Sequence, residues 1–323
     1  MAGELRFDPL TGEWVSIVGH RQARPNLPDS GCPFCIGGLE APDPYEVRWF
    51  TNRWPAFDAG PPLDLAAAEA ARTRWLPAVG TTEVVLFSPD HDATLGTLSV
   101  PQVRKVVDLW AERTAALYER DDVEYVLVFE NRGAEVGATI SHPHGQIYAF
   151  GFVPPVPRRE AEVANAQGRC AVCAEVEAEL ADGVRIVFES DTWVAYVPFA
   201  SAYSYGVRIM ARDHVASFPA LDSAGRDGLA SAMHDVLGRY DRLWHHDGAA
   251  GDNEHADVGP FPYLLWFHQA AKHDDGTAHL HAHTAPPLRA PGVMRHVASG
   301  EVGGGTLSNP VIPEDAAATL RAV

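Results

Sequence analysis

The chain has 323 residues, 46% hydrophobic and 21% charged, enough to bury one large core or two medium ones. A formal net charge of -18 argues against a nucleic-acid partner, which ordinarily meets a basic face that displaces counterions; an anionic small molecule stays compatible if arginines, histidines or metal charges gather locally. The N-terminus lacks the apolar core of a signal peptide and no run approaches the roughly 18 apolar residues of a membrane span, so the expectation is a cytoplasmic protein with no membrane partner.

In chain order, Leu5 to Val18 carries Pro9 and Gly12 and predicts a turn leading into a short strand. His20-Arg21-Gln22-Ala23-Arg24-Pro25 follows, two arginines three apart, a spacing that suits a phosphate and equally a solvated surface. Cys32-Pro33-Phe34-Cys35, bracketed by Gly31 and Gly37-Gly38, predicts a metal knuckle whose two sulfurs reach one ion at about 2.3 Å. Glu46 to Phe57 reads as a strand and turn, and the Pro- and Ala-rich stretch from Asp58 to Ala78 as a surface excursion. Thr82 to Phe87 is apolar and β-branched, a buried strand that runs into Ser88-Pro89-Asp90-His91-Asp92. Ser99 and Gln102 predict a capping box for a helix whose residues Val103, Val106, Val107, Trp110, Leu117 and Tyr118 keep helical spacing. Tyr125 to Phe129 predicts the strand that delivers Glu130-Asn131-Arg132-Gly133.

Ser141-His142-Pro143-His144-Gly145-Gln146-Ile147-Tyr148 comes next, two histidines one residue apart around a proline. In extended backbone both would face one side unless Pro143 splays them, so one is free to hold something and the other to attack. Gly145 would let a phosphate approach the backbone, and Gln146 supplies an amide that donates to an oxyanion.

Past a linker carrying Pro154, Pro155 and Pro157, the landmarks return in the same order. Cys170-Ala171-Val172-Cys173 matches the first knuckle, and Met210 to His214 matches Phe87 to His91. A second amphipathic helix, about Asp222 to Trp244, carries Leu229, Met233, Val236, Leu237, Tyr240 and Leu243. Tyr263 to Phe267 then parallels Tyr125 to Phe129, and His279-Leu280-His281-Ala282-His283 parallels the His-Pro-His turn. The acidic loop from Asp247 to Pro260 reads as decoration. The predicted fold is therefore α+β, two copies of one module over residues 1–153 and 154–323, each a mainly antiparallel sheet with packed helices.

The four cysteines fall in two Cys-x-x-Cys pairs, which in a reducing compartment favour metal over disulfides. Cys32, Cys35, His91 and His142 make the closed Cys2His2 set that zinc favours. Applying the repeat, Cys170, Cys173, His214 and His279 make a second zinc set; the other reading is two buried thiols with surface histidines. Glu160, His268, His281 and His283, a carboxylate with three imidazoles, suit a further ion, iron or zinc. His144 and His281 are left as the middle histidines; a neutral imidazole at His144 is a competent nucleophile toward the α-phosphate of a nucleotide.

These residues carry a resemblance. Asp8-Pro9-Leu10-Thr11-Gly12-Glu13-Trp14, His20-Arg21-x-x-Arg24-Pro25, the Cys32/Cys35 knuckle, Phe50-Thr51-Asn52, Phe87 to His91, Phe129-Glu130-Asn131-x-Gly133, His142 to Gln146, and His281-Ala282-His283-x-x-Pro286-Pro287-Leu288 resemble galactose-1-phosphate uridylyltransferases, of the histidine-triad superfamily, over almost the whole chain. The resemblance implies a transferase of galactose metabolism that moves a uridylyl group from UDP-glucose to galactose 1-phosphate through a covalent uridylyl-histidine, with ping-pong order. It implies His144 as nucleophile, Gln146 as the holder of the phosphoryl oxygen, and Asn52, Asn131, Gly137 and Thr139 as contacts to the nucleotide sugar. It also implies a homodimer in which Arg21 and Arg24 serve the partner's site, and iron at Glu160, His268, His281 and His283 as in some members. The chain departs from the family at Arg295-His296-Val297, where a Lys-Phe pair is usual, at Arg53, and at Ala138-Thr139 in place of Cys-Ser; the chemistry is better defined than the sugar. The rival classes are a histidine-triad nucleotide hydrolase or dinucleotide phosphorylase, and a non-enzymatic zinc-binding scaffold. Hydrolases generally carry a proton-donating third histidine where Gln146 sits, and glutamine cannot protonate a leaving group.

Overall fold

In the computed structural model, which describes residues 3–19, 31–244, 261–274 and 276–323, the first turn has strands on both sides. β1 (Glu4–Asp8) and β2 (Glu13–Ile17) form a hairpin in which the Gly12 N–H donates to the Asp8 carbonyl from a left-handed φ of 73°. After β3 (Arg48–Thr51), the stretch predicted to be a surface excursion instead folds. It forms α1 (Leu65–Ala70), capped by the Asp64 carboxylate on the Ala67 N–H, and β4 (Trp75–Pro77), which pairs with β1 in a three-stranded sheet. Leu63, Leu65 and Leu76, scattered among prolines and alanines, pack on a small core of Leu5, Phe57 and Phe152, and that apolar burial outweighs the loop-like composition.

β5 (Gly80–Leu86), α2 (Val100–Tyr118), β6 (Tyr125–Arg132) and β7 (His144–Phe150) follow the predicted order. The predicted capping box does not form. Ser99 stands at the N-cap with no side-chain bond, and the Gln102 amide donates instead to the carbonyls of Glu46, at 2.7 Å, and Phe87, at 2.9 Å. Two well-placed acceptors bind that amide better than one reciprocal contact, and they tie the helix start to the end of β5. The proline-rich linker is also helical: Pro155 opens α3 (Pro155–Gln167), where a missing N–H costs nothing because the first turn has no intrahelical acceptor to meet.

The second half continues with α4 (Ala171–Asp182), β8 (Ile186–Glu189), β9 (Trp193–Tyr196), β10 (Arg208–Ala211), α5 (Ser223–Arg242), β11 (Tyr263–His268) and β12 (His281–Ala285). A short hairpin of β13 (Leu288–Ala290) and β14 (Val293–Met294), α6 (Ser299–Gly304) and α7 (Pro313–Arg321) end the chain. Both repeats contribute to one antiparallel sheet of nine strands, ordered β3-β5-β7-β6-β11-β12-β10-β9-β8. The half-sheets join where β6 pairs with β11, from Arg132 opposite Tyr263 to Val128 opposite Phe267. The order is the same outward from that seam: β6, β7, β5 on one side and β11, β12, β10 on the other.

The helices α2 and α5 pack against each other, joined at the rim by Arg104 with Asp227 and Arg226 with Asp108. Below them Trp110, fully buried, meets the rings of Phe87, Phe218 and Phe267, a contact whose truncation to alanine costs about 3–5 kcal/mol. Along β7 the burial alternates: Gly145, Ile147 and Ala149 are buried, while His144, Gln146 and Tyr148 stand half-exposed on the other face. Among the described residues no helix is long and apolar enough to cross a membrane. The acidic loop from Asp247 to Pro260 lies outside the described residues.

Candidate active site and metal centres

Pro143 does splay the two histidines. His142 is 1% exposed, whereas His144 opens β7 on its half-exposed face and points its Nδ1 back to the His142 carbonyl oxygen at 2.8 Å. A carbonyl only accepts, so Nδ1 carries the proton and the lone pair of the neutral ring sits on Nε2. Gly145 has a different reason from the one expected. It faces the buried side, where a Cβ would meet the Phe87 ring at 2.7 Å and the Phe129 carbonyl at 2.8 Å, so the glycine allows close packing of strand on core rather than approach of a ligand. The Gln146 Oε1 is buried and has no hydrogen-bond partner among the described residues.

His142 turns its ring toward the knuckle. Cys32, Cys35, His91 and His142 each offer a ligand atom within 4.8 Å of the others; Cys35 Sγ lies 3.4 Å from His91 Nδ1 and 3.7 Å from His142 Nδ1. A tetrahedron with metal–ligand bonds of about 2.0–2.3 Å has edges of roughly 3.5 Å, and both of these edges suit it. The outer nitrogens are engaged too: His142 Nε2 reaches the Ser88 carbonyl at 2.8 Å and the Tyr45 hydroxyl at 2.9 Å, and His91 Nε2 meets Ser141 Oγ at 3.2 Å. Burial lowers the pKa of His142, which keeps its ring neutral, as a ligand requires.

The second repeat gathers the equivalent four residues. His279 Nδ1 lies 3.5 Å from Cys170 Sγ and 3.4 Å from Cys173 Sγ, and His214 Nδ1 lies 3.6 Å from Cys173 Sγ. His279 Nε2 rests on the Ala211 carbonyl at 3.0 Å, and His281 Nδ1 reaches the His279 carbonyl at 2.6 Å. All four cysteines are free thiols. Here the knuckle is the first turn of α4, with Cys170 as its N-cap accepting from the Cys173 N–H. Burial, then the neighbouring His214 and His281, push His279 down to about 4.

Beside it, α3 brings Glu160 over β11 and β12. His268 Nδ1 lies 2.9 Å from the carboxylate, His281 Nε2 3.6 Å and His283 Nε2 3.9 Å, all within one ion's reach. Burial opposes ionisation of Glu160, but hydrogen bonds from His268 and His281 hold its carboxyl well below the usual range. Trp266 stacks on His283, centroids 5.1 Å apart and planes 9° from parallel. A cavity of about 210 Å³ between α3, α4 and the sheet opens onto this cluster.

A larger cavity, about 460 Å³, lies against the first repeat and is lined by His144, His91, Asn131, Thr139, Ser141 and Thr94, among others. The loop on its far side turns at Gly137, whose φ of 84° few side chains tolerate. Asn52 lies two strands away, its N–H on the Thr82 carbonyl and its Oδ1 on the Trp54 N–H. Neither Asn52, Gly137 nor Gln146 contributes to the lining. Arg21 and Arg24 lie outside the described residues. Sequence reasoning passed over Tyr45, Phe34 and Trp266, whose contacts join distant segments, and Glu130. Glu130 is pushed up to about 7 by burial, with the Tyr263 hydroxyl donating to it at 3.0 Å. Arg295 is held by Glu301 and by the Ser308 carbonyl.

Residues 1–154 match the family model described as galactose-1-phosphate uridyl transferase, N-terminal domain, and residues 160–323 match its C-terminal domain. A galactose-1-phosphate uridylyltransferase from Thermotoga maritima is 35% identical over 328 residues, with 98% of each chain covered. Among solved structures, a uridylyltransferase superposes with a TM-score of 0.82 at 30% identity, covering 99% of this chain and 97% of its own. An ADP-glucose phosphorylase from Arabidopsis thaliana with bound ADP-glucose superposes at 0.70 and 26% identity, covering 100% of this chain and 99% of its own.

Proposed function

The chain belongs to the galactose-1-phosphate uridyl transferase family, and on that footing we propose that it moves a uridylyl group from UDP-glucose to galactose 1-phosphate, or a related sugar 1-phosphate, by way of His144. The observation that carries the reading is the 2.8 Å bond from His144 Nδ1 to the His142 carbonyl, which leaves the lone pair on Nε2.

In the first step the Nε2 lone pair forms a bond to the α-phosphorus of UDP-glucose, and the phosphorus–oxygen bond to glucose 1-phosphate breaks, its electron pair leaving with the sugar phosphate. The imidazole becomes cationic, and the His142 carbonyl facing Nδ1–H stabilises that charge. In the second step a phosphate oxygen of galactose 1-phosphate attacks the same phosphorus and the pair returns to Nε2. Both leaving groups depart without a proton, so a glutamine serves at position 146, its amide donating to the phosphoryl oxygen. Asn52, Asn131, Gly137 and Thr139 are the proposed contacts to the nucleotide sugar. The cation of Arg132, which lines the cavity, is paired with Asp241, so charge for the pyrophosphate has to come from elsewhere. Arg21 and Arg24 of a partner subunit in a homodimer are the proposed source.

Zinc at Cys32, Cys35, His91 and His142, when bound, supplies a fixed node that holds His142 and its carbonyl. A second zinc is proposed at Cys170, Cys173, His214 and His279, and iron or zinc at Glu160, His268, His281 and His283. The proposed modules are residues 1–153, with the nucleophile, and 154–323; the proposed setting is the cytoplasm.

The ADP-glucose phosphorylase relative makes a second reading specific: an adenylyl donor and inorganic phosphate as acceptor. Initial rates with UDP-glucose or ADP-glucose as donor, each against galactose 1-phosphate or inorganic phosphate, decide between them. The proposal requires the UDP-glucose and galactose 1-phosphate pair to be preferred, with parallel double-reciprocal lines. Preference for ADP-glucose and phosphate would replace it with the phosphorylase.

A further inference from the structure

Phe34, between the two knuckle cysteines, is 6% exposed, and its ring lies 5.1 Å from that of His144 and 6.0 Å from that of His142. Its carbonyl accepts from the Tyr45 hydroxyl at 2.8 Å, and the same hydroxyl lies 2.9 Å from His142 Nε2 and 3.0 Å from the Ser88 carbonyl. One phenol thus joins the knuckle, the strand leading to His91, and the segment entering β7. Phe34 and Tyr45 also share a core with Ala41, Val84, Leu86 and Phe50, which anchors both rings to the sheet.

The second repeat is an internal control. His279 Nε2 has the Ala211 carbonyl and, among the described residues, no phenol beside it. The residue equivalent to Phe34 is Val172 on α4, and His281 Nε2 faces Glu160 rather than the large cavity. The aromatic pair therefore accompanies only the histidine that reaches the substrate-sized cavity.

We propose that Phe34 and Tyr45 are positioning residues: Phe34 holds the His144 ring at its attack angle, and Tyr45 fixes His142 and the knuckle that carries Phe34. The proposal rests on His144 being the nucleophile. The knuckle is then part of how the nucleophile is oriented as well as a structural clasp, since a misplacement near 1 Å costs about a hundred-fold in rate.

The test uses the zinc-loaded full chain. Phe34→Leu keeps an apolar residue but loses the ring. Single-turnover labelling by UDP-glucose should slow about ten- to hundred-fold while reaching the parent end point, with bound zinc unchanged and the donor KM within about two-fold. A slower rate with a full end point separates orientation from loss of folded protein. Tyr45→Phe keeps the ring and removes the hydroxyl; zinc should pass from the first cluster to a chelator about ten-fold faster, with exchange at the Cys170 cluster unchanged. Nitrogen NMR of the His144 ring at fixed pH reads the arrangement without any substrate: the parent should show the Nδ1–H tautomer alone, and Phe34→Leu a mixture. If the parent takes no label, the nucleophile reading fails and the tautomer measurement alone judges the positioning. Parent-like labelling rates in Phe34→Leu, a single tautomer in that variant, or slowing that merely tracks lost zinc would each overturn the proposal.

Discussion

His144 donates from Nδ1 to the carbonyl oxygen of His142 at 2.8 Å, and the residue that accepts this bond is itself placed by its ring against Cys35, His91 and Tyr45. The same bond recurs between His281 and His279, where Nε2 faces the Glu160 carboxylate. On the proposed reading one backbone device serves two purposes, toward phosphorus in the first repeat and toward a metal cluster in the second.

The division of labour between the two histidines predicts different losses. His144→Ala should reduce transfer to roughly a ten-thousandth of the parent rate or less, with bound zinc and thermal stability retained, because no ligand is removed. Exchange assays beside metal analysis check both halves of the expectation.

His142→Ala should lose zinc and stability together, because an opened Cys2His site gives up binding energy that is also folding energy. The same variant also empties the space behind Tyr45. Full zinc in the purified variant would remove His142 from the ligand set.

Gln146→Ala should slow transfer by about two to three orders of magnitude through loss of one oxyanion donor. Gln146→His should slow transfer while raising hydrolysis of the uridylyl-enzyme, since a neutral imidazole can take the proton of an attacking water. Product analysis for free UMP distinguishes the two variants.

Glu130 gives a pH dependence of defined sign. Burial raises its pKa from 4.5 to about 7, so between those values the folded chain binds more protons than the unfolded chain. Stability therefore falls as pH rises through that window, by an amount on the order of 3 kcal/mol for this group. Glu130→Gln keeps an acceptor for Tyr263 and should remove that part of the decline. Urea unfolding of both proteins at pH 5 and pH 7.5 measures the difference; parallel behaviour would show that the carboxyl is already ionised.

Much of this was legible in sequence where the signal is local or repeated. The His-Pro-His turn, two Cys-x-x-Cys pairs and five landmarks in one order point to the clusters that the fold gathers. What was not legible depends on partners far along the chain. Pairing of Arg132 with Tyr263 fuses the two half-sheets, and nothing near either residue announces it. Gly145 is needed because Phe87 and the Phe129 carbonyl crowd it, a reason visible only once three segments are assembled. Gln102 abandons its capping role for two carbonyls that only the folded chain supplies. Pro155 reads as a loop residue until its place in the first helical turn is seen.

The central claim, a covalent nucleotide on His144, is tested most directly by incubating the protein with UDP-glucose radiolabelled in its uridylyl phosphate, denaturing it in alkali and mapping the label. The account predicts an acid-labile, alkali-stable label on the peptide containing His144, discharged by galactose 1-phosphate into labelled UDP-galactose. No label retained on the protein, together with intersecting double-reciprocal lines, would contradict it.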